Sequence, residues 1–175
     1  MNMTRHFDKM LTNFPFSPQN PANTVLRVQA VSSAEPTVME HEFPDPVDVE
    51  AISIVMKESA GTDSCLQVES FWGLWQFDKD WTLRPAPVSL FCFGPQFDGY
   101  ELEDGSREHL RIEFGLESHF LPQANLPDSA YFVQSNLKGL LQLAHTLDEG
   151  LAVQKRMLWS ESGENFADRF KAFLQ

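Results

Sequence analysis

Cysteine is scarce in this chain: Cys65 and Cys92 are the only two in 175 residues. Two thiols cannot build the multi-bridge framework of a small secreted fold. Both lie in strand-like apolar runs, so they read as buried thiols in a reducing compartment rather than as a disulfide. Long hydrophobic runs are also lacking. No apolar segment approaches the ~20 residues needed to cross a bilayer. The opening MNMTRHFDKMLTNFPF has none of the continuous apolar stretch that a signal peptide carries. A cytoplasmic protein is expected.

Positive charge is short as well. Lys and Arg number 13 against 25 Asp and Glu, leaving a net charge of −12. Such a field repels phosphate backbones and anionic lipid, so nucleic acid and membrane partners are not expected. It attracts a basic protein partner, although acidity also serves plain solubility.

The familiar chemical signatures do not occur. There is no G-x-x-x-x-G-K-[ST] or G-x-G-x-x-G loop, no Cys-x-x-Cys and no G-x-S-x-G elbow. His41-Glu42 continues as Phe43-Pro44-Asp45, without the second histidine of a zinc helix. SESGENF (160–166) is accounted for by a turn and a helix cap. No cofactor and no metal are expected, and a catalytic role is not favoured.

What the chain has in excess is phenylalanine, 15 residues, joined by four tryptophans. With 42% hydrophobic and 22% charged residues, otherwise ordinary values, this describes a folded protein with a large aromatic core, an apolar cavity, or both. The length suits one domain over 1–175, able to bury about two-thirds of its unfolded surface. An N-terminal arm (1–23) leads into a mainly β region (24–120) and a mainly α region (121–175).

Within the arm, Met3, Phe7, Met10 and Leu11 have helical spacing. TVLRVQAVSS (24–33) alternates as a strand does. Residues 34–50 hold Glu35, Glu40, Glu42, Asp45, Asp48 and Glu50 with no Lys or Arg, and read as an acidic loop with an extended piece from Val38 to Phe43. Val47, Val49 and Ala51 predict a strand over 47–58. Residues 65–78 are apolar on both parities, which calls for cover on both sides. Asp78-Lys79-Asp80 turns into a short piece closed by Pro85 and Pro87, and 88–97 is a further strand. Val133, Leu137, Leu140, Leu141, Ala144 and Leu147 repeat at helical spacing, with Asp128 as N-terminal cap and Gly150 as stop. Residues 151–159 are read as extended, and Ser162 caps a last helix striped by Phe166, Phe170, Phe173 and Leu174. Strands first and helices last predict an α+β fold, an antiparallel sheet of five to six strands with two C-terminal helices on one face.

HLRIEFGLESHF (109–120) alternates apolar Leu110, Ile112 and Phe114 with polar His109, Arg111 and Glu113. Asp104-Gly105 before it is a hairpin signal. Paired through that turn, Asp98 meets Arg111, Phe97 meets Ile112, Glu101 meets Glu108 and Tyr100 meets His109. Pro95 would break this ladder, so the pairing is expected to fail near Gly94-Pro95.

Three functional expectations follow. The first is a non-catalytic domain acting through protein contacts, as a homodimer or on a basic partner, because the helices supply only one layer of cover for the two-faced aromatic strand. The second is a small apolar or aromatic ligand held by Trp72, Trp75, Phe91, Phe93 and Tyr100. The third is an enzyme using His109, Asp98, Arg111 and Glu113, with His109 and a carboxylate as the acid–base pair.

Overall fold

The computed structural model describes residues 3–99, 101, 105–158 and 160. Five strands, β1 (Thr24–Ala30), β2 (Thr37–Phe43), β3 (Ser64–Phe77), β4 (Trp81–Phe93) and β5 (Leu110–Glu113), form one antiparallel sheet in the order β2-β1-β3-β4-β5. Among the described residues three α-helices accompany it: α1 (Met3–Asn13), α2 (Val49–Ser59) and α3 (Ser129–Gly150). The fold is α+β, as the order of patterns in the chain implies.

Period-two alternation assigns the faces. Leu26, Val28, Leu66, Val68, Trp72, Leu74, Ala86, Val88 and Leu90, all even-numbered, are buried in one cluster. Phe7, Met10 and Leu11 of α1, Ile52 and Met56 of α2, and Val133 and Leu137 of α3 complete that cluster. All three helices therefore cover the same face of the sheet. The N-terminal arm helps to close the core rather than the opposite face.

The spacing expected for α1 and α3 and the extended piece at 38–43 are present. Residues 47–58 are not a strand. Asp48 caps α2 by accepting from the Ala51 amide at 3.0 Å, and Ile52 and Met56, four apart, both point into the core. The apparent alternation at 47–51 spans only the cap and first turn. In α3 the cap expectation fails: Asp128 sits at φ 54° with no side-chain bond to the helix amides. Its buried stripe takes in Asn136 and Leu143, while Leu141 is exposed.

Pro85 and Pro87 do not end a strand; β4 runs through both. They pair with Gly73 and Phe71. The backbone groups of odd-numbered β3 residues point away from β4, since Phe71 O accepts from Ser17 N and Trp75 N and O bond to Asn136. The prolines opposite therefore also point outward, on a stretch of β4 that β5 does not reach, and no ladder bond is lost.

The hairpin register is corrected. β5 pairs Arg111 with Phe91, Ile112 with Leu90 and Glu113 with Ser89, not with residues 96–98. The strand ends at Phe93; the amide of the next residue, Gly94, bonds to Ser64 O, and a Cβ there would lie 2.4 Å from Thr62 O. The chain then loops out, Phe97 tucks against Phe93, and Asp98 N bonds to Val31 O. Glu101 bridges Arg107, not Glu108. The face assignment survives: Leu110, Ile112 and Phe114 pack against the helix-side core, and Glu113 is exposed. Residues 151–158 form neither helix nor strand. Tyr100, Asp104 and the expected helix from Ser162 lie outside the described residues.

Candidate functional site

The sheet face without helices carries the odd-numbered side chains, and it is divided into three zones. Near β2, Arg27 lies between Glu40 and Glu69, bonded to both. The hydrogen bond with Glu69 and, behind it, that with Glu40 outweigh burial and raise the Arg27 pKa. At the β5 end, Cys65, Phe93 and Phe97 form a small second core with Phe91 against it. Arg111 lies over the Phe93 and Phe91 rings at 5.3 and 6.0 Å and bonds to Glu108 and Glu113. Burial pulls its pKa down, but the bonds to Glu108 and then Glu113 win, so it stays cationic. Burial pushes both thiols up to about 12, which keeps them protonated and unreactive.

Beyond both zones, toward the turn at 78–80, lies an uncharged strip: Phe71 and Gly73 of β3 beside Leu83, Pro85 and Pro87 of β4. Leu83 is 62% exposed. Further toward the hairpin tip, α3 reaches round the β3 edge. Its Phe132 contacts Trp75 at 4.9 Å and stacks on Trp81 at 4.9 Å, while Trp81 Nε1 donates to Pro127 O. Cover for the second face thus comes from one aromatic of α3 and from the 94–99 loop, and the strip in the middle is left open.

Of the four polar candidates, Arg111 and Glu113 are brought together, at 3.3 Å, while Asp98 and His109 do not join them as the tight hairpin implied. Asp98 is held through its backbone at Val31, Arg111 is engaged by Glu108 and Glu113, and His109 is exposed with its carbonyl accepting from Phe93 N. The four aromatic candidates within the described residues, Trp72, Trp75, Phe91 and Phe93, are split between faces. Trp72 is 2% exposed among Phe14, Phe114 and Phe120 on the helix side, whereas Phe91 and Phe93 lie on the other. Trp72 Nε1 and His119 Nδ1 are buried with no hydrogen-bond partner among the described residues. Desolvation lowers the His119 pKa.

Two features escaped the sequence reading. Asn136, 3% exposed, accepts from Trp75 N at 2.8 Å and donates to Trp75 O at 3.0 Å and His119 O at 2.8 Å. It finishes the β3 edge where β1 has ended. A polar residue inside an apolar helical stripe was the available signal. The second is the groove beside α2, lined by Phe43, Pro44, Asp45, Pro46, Val47, Asp48, Val49 and Ala51. Among the described residues, no group of three or more His, Cys, Asp or Glu is placed to hold a metal ion, and no helix is long and apolar enough to cross a membrane. Comparison with known proteins finds no matching family model, curated protein or solved structure.

Proposed function

We propose that this domain is non-catalytic and works through protein contacts, meeting a second copy of itself across the open sheet face. The observation that carries the proposal is the uncharged strip of Phe71, Gly73, Leu83, Pro85 and Pro87 on the face no helix covers. An acidic protein repels its own copies in general. A strip without charge is where that repulsion is weakest and where apolar burial, at about 25 cal/mol per Å2, gains most. The same patch on two copies is self-complementary, as a two-fold interface requires.

Light scattering coupled to size exclusion tests this across micromolar concentrations. Wild type should show the dimer mass, and Leu83→Asp should run as a monomer with an unchanged circular dichroism spectrum, since the side chain is exposed. A wild-type protein that stays monomeric throughout the range overturns the proposal. The ion pairing of Arg111 with Glu108 and Glu113, and its register opposite Phe91 rather than Asp98, favour this reading over the acid–base one. The division of Trp72 from Phe91 and Phe93 favours it over a common ligand pocket.

A further inference from the structure

We infer that the outer edge of β2 is an acceptor for an added strand from a basic partner, an extended segment with Lys or Arg at alternate positions. The alternation that orients the prolines also orients this edge. Odd-numbered β3 residues point their backbone groups at β1, so the pairs Val25–Glu69 and Arg27–Gln67 are hydrogen-bonded. Even-numbered β1 residues therefore bond to β2, using Thr24–Phe43, Leu26–His41 and Val28–Met39. The amides and carbonyls of Glu40 and Glu42 are left pointing outward. β2 ends the sheet, and no backbone bond from another described segment reaches them.

Sheet edges are ordinarily blunted by lysine, proline or short length. The exposed stretch of β4 has Pro85 and Pro87, and β5 has four residues. The seven residues of β2 include no lysine and no proline. Pro36 and Pro44 flank the strand instead and define the length an added strand can match.

Charge selects the occupant. From Val28 to Met56 the chain has six carboxylates and no Lys or Arg. Residues of an incoming strand opposite Glu40 and Glu42 place their side chains on the helix-free face, beside those two carboxylates. Arg27 is the cation there, shared between Glu40 and Glu69, so the edge stays net negative. The residue between them falls on the helix side, next to the His41–Phe43 ring pair at 4.6 Å and toward the 43–51 groove, and suits an apolar side chain. A second copy of β2 would set Glu40 and Glu42 against the same carboxylates. Main-chain bonds would supply the affinity, and the alternating side chains the selection.

The proposal stands apart from association through the Leu83 face, which this experiment does not probe. The probe is a capped peptide the length of β2 alternating lysine and valine, with a glutamate–valine peptide as control. Amide hydrogen exchange read residue by residue should show Glu40 and Glu42 protected by the lysine peptide and unchanged by the glutamate one. Glu40→Pro removes an outward N–H that the β1 ladder does not use, and should abolish protection at Glu42 without altering the circular dichroism spectrum. The charge reversal E40K/E42K keeps the amides and should weaken lysine-peptide binding by about tenfold, should the proline variant misfold. Equal binding of both peptides, protection elsewhere than β2, undiminished binding by the folded Glu40→Pro protein, or protection that grows with protein concentration without peptide would each overturn the inference.

Discussion

Asn136 sets one side-chain amide against the backbone of Trp75, supplying the acceptor and donor that a neighbouring strand would have provided. Its third bond, to His119 O, joins the turn after β5 to the same point. Asn136→Ala leaves a largely buried N–H and two carbonyls unanswered, each costing about 1–3 kcal/mol. We expect a loss of about 3 kcal/mol, read as a shift of the urea midpoint with the slope unchanged. His119 is a second case in which burial decides chemistry. Its folded pKa lies below the unfolded value of 6.5. A lowered pKa means the unfolded chain takes up the proton first, so the contribution is intact above the unfolded value and is lost as pH falls from there toward the folded pKa. Stability should therefore drop on acidification through this window, and His119→Gln should flatten that part of the profile in denaturation series at matched ionic strength.

Elements were legible where one period persisted over several turns or pleats. α1, β1 and α3 each repeat a single pattern long enough to outvote local exceptions, whereas β3, apolar on both parities, was legible as a strand but not by face. α2 was misread because Val47, Val49 and Ala51 alternate over the five residues that form its cap and first turn, while the deciding signals were the Asp48 cap and the Ile52–Met56 spacing. β4 was cut in two because proline removes a donor, and only the sheet order says that no partner wants that donor. Pro85 and Pro87 should accordingly act as guards of an exposed edge. Replacing both with valine should keep the fold and raise aggregation, seen as faster growth of light scattering on warming. Unchanged scattering would mean that the edge needs no protection.

Across the whole molecule, two aromatic surfaces share one sheet. The even face is closed by three helices; the odd face is closed at its ends by Phe132 and by the 94–99 loop, with the Leu83 strip between. The net charge of −12 opposes association of copies. Screening that repulsion should favour the proposed dimer, so raising salt from ~0.01 to ~0.15 M, which shortens the Debye length from ~30 to ~8 Å, should increase the dimer fraction. The same salt step should weaken binding of the lysine peptide to β2. Opposite responses at the two surfaces would separate apolar from ionic recognition.

Alternation and helical spacing are local properties, carried by residues two to four apart, so fold class, the buried face of β5 and the burial of both cysteines could be read along the chain. Which strands become neighbours depends on contacts far apart in sequence, and that is where local reading failed. Gly94 must pass within contact of Thr62 and Ser64, so the chain leaves the sheet there, and β5 returns seven places from the pairing a tight Asp104-Gly105 hairpin would impose. That single long-range approach took Asp98 out of register with Arg111. The sheet order, equally non-local, left Glu40 and Glu42 with backbone groups that no described segment claims.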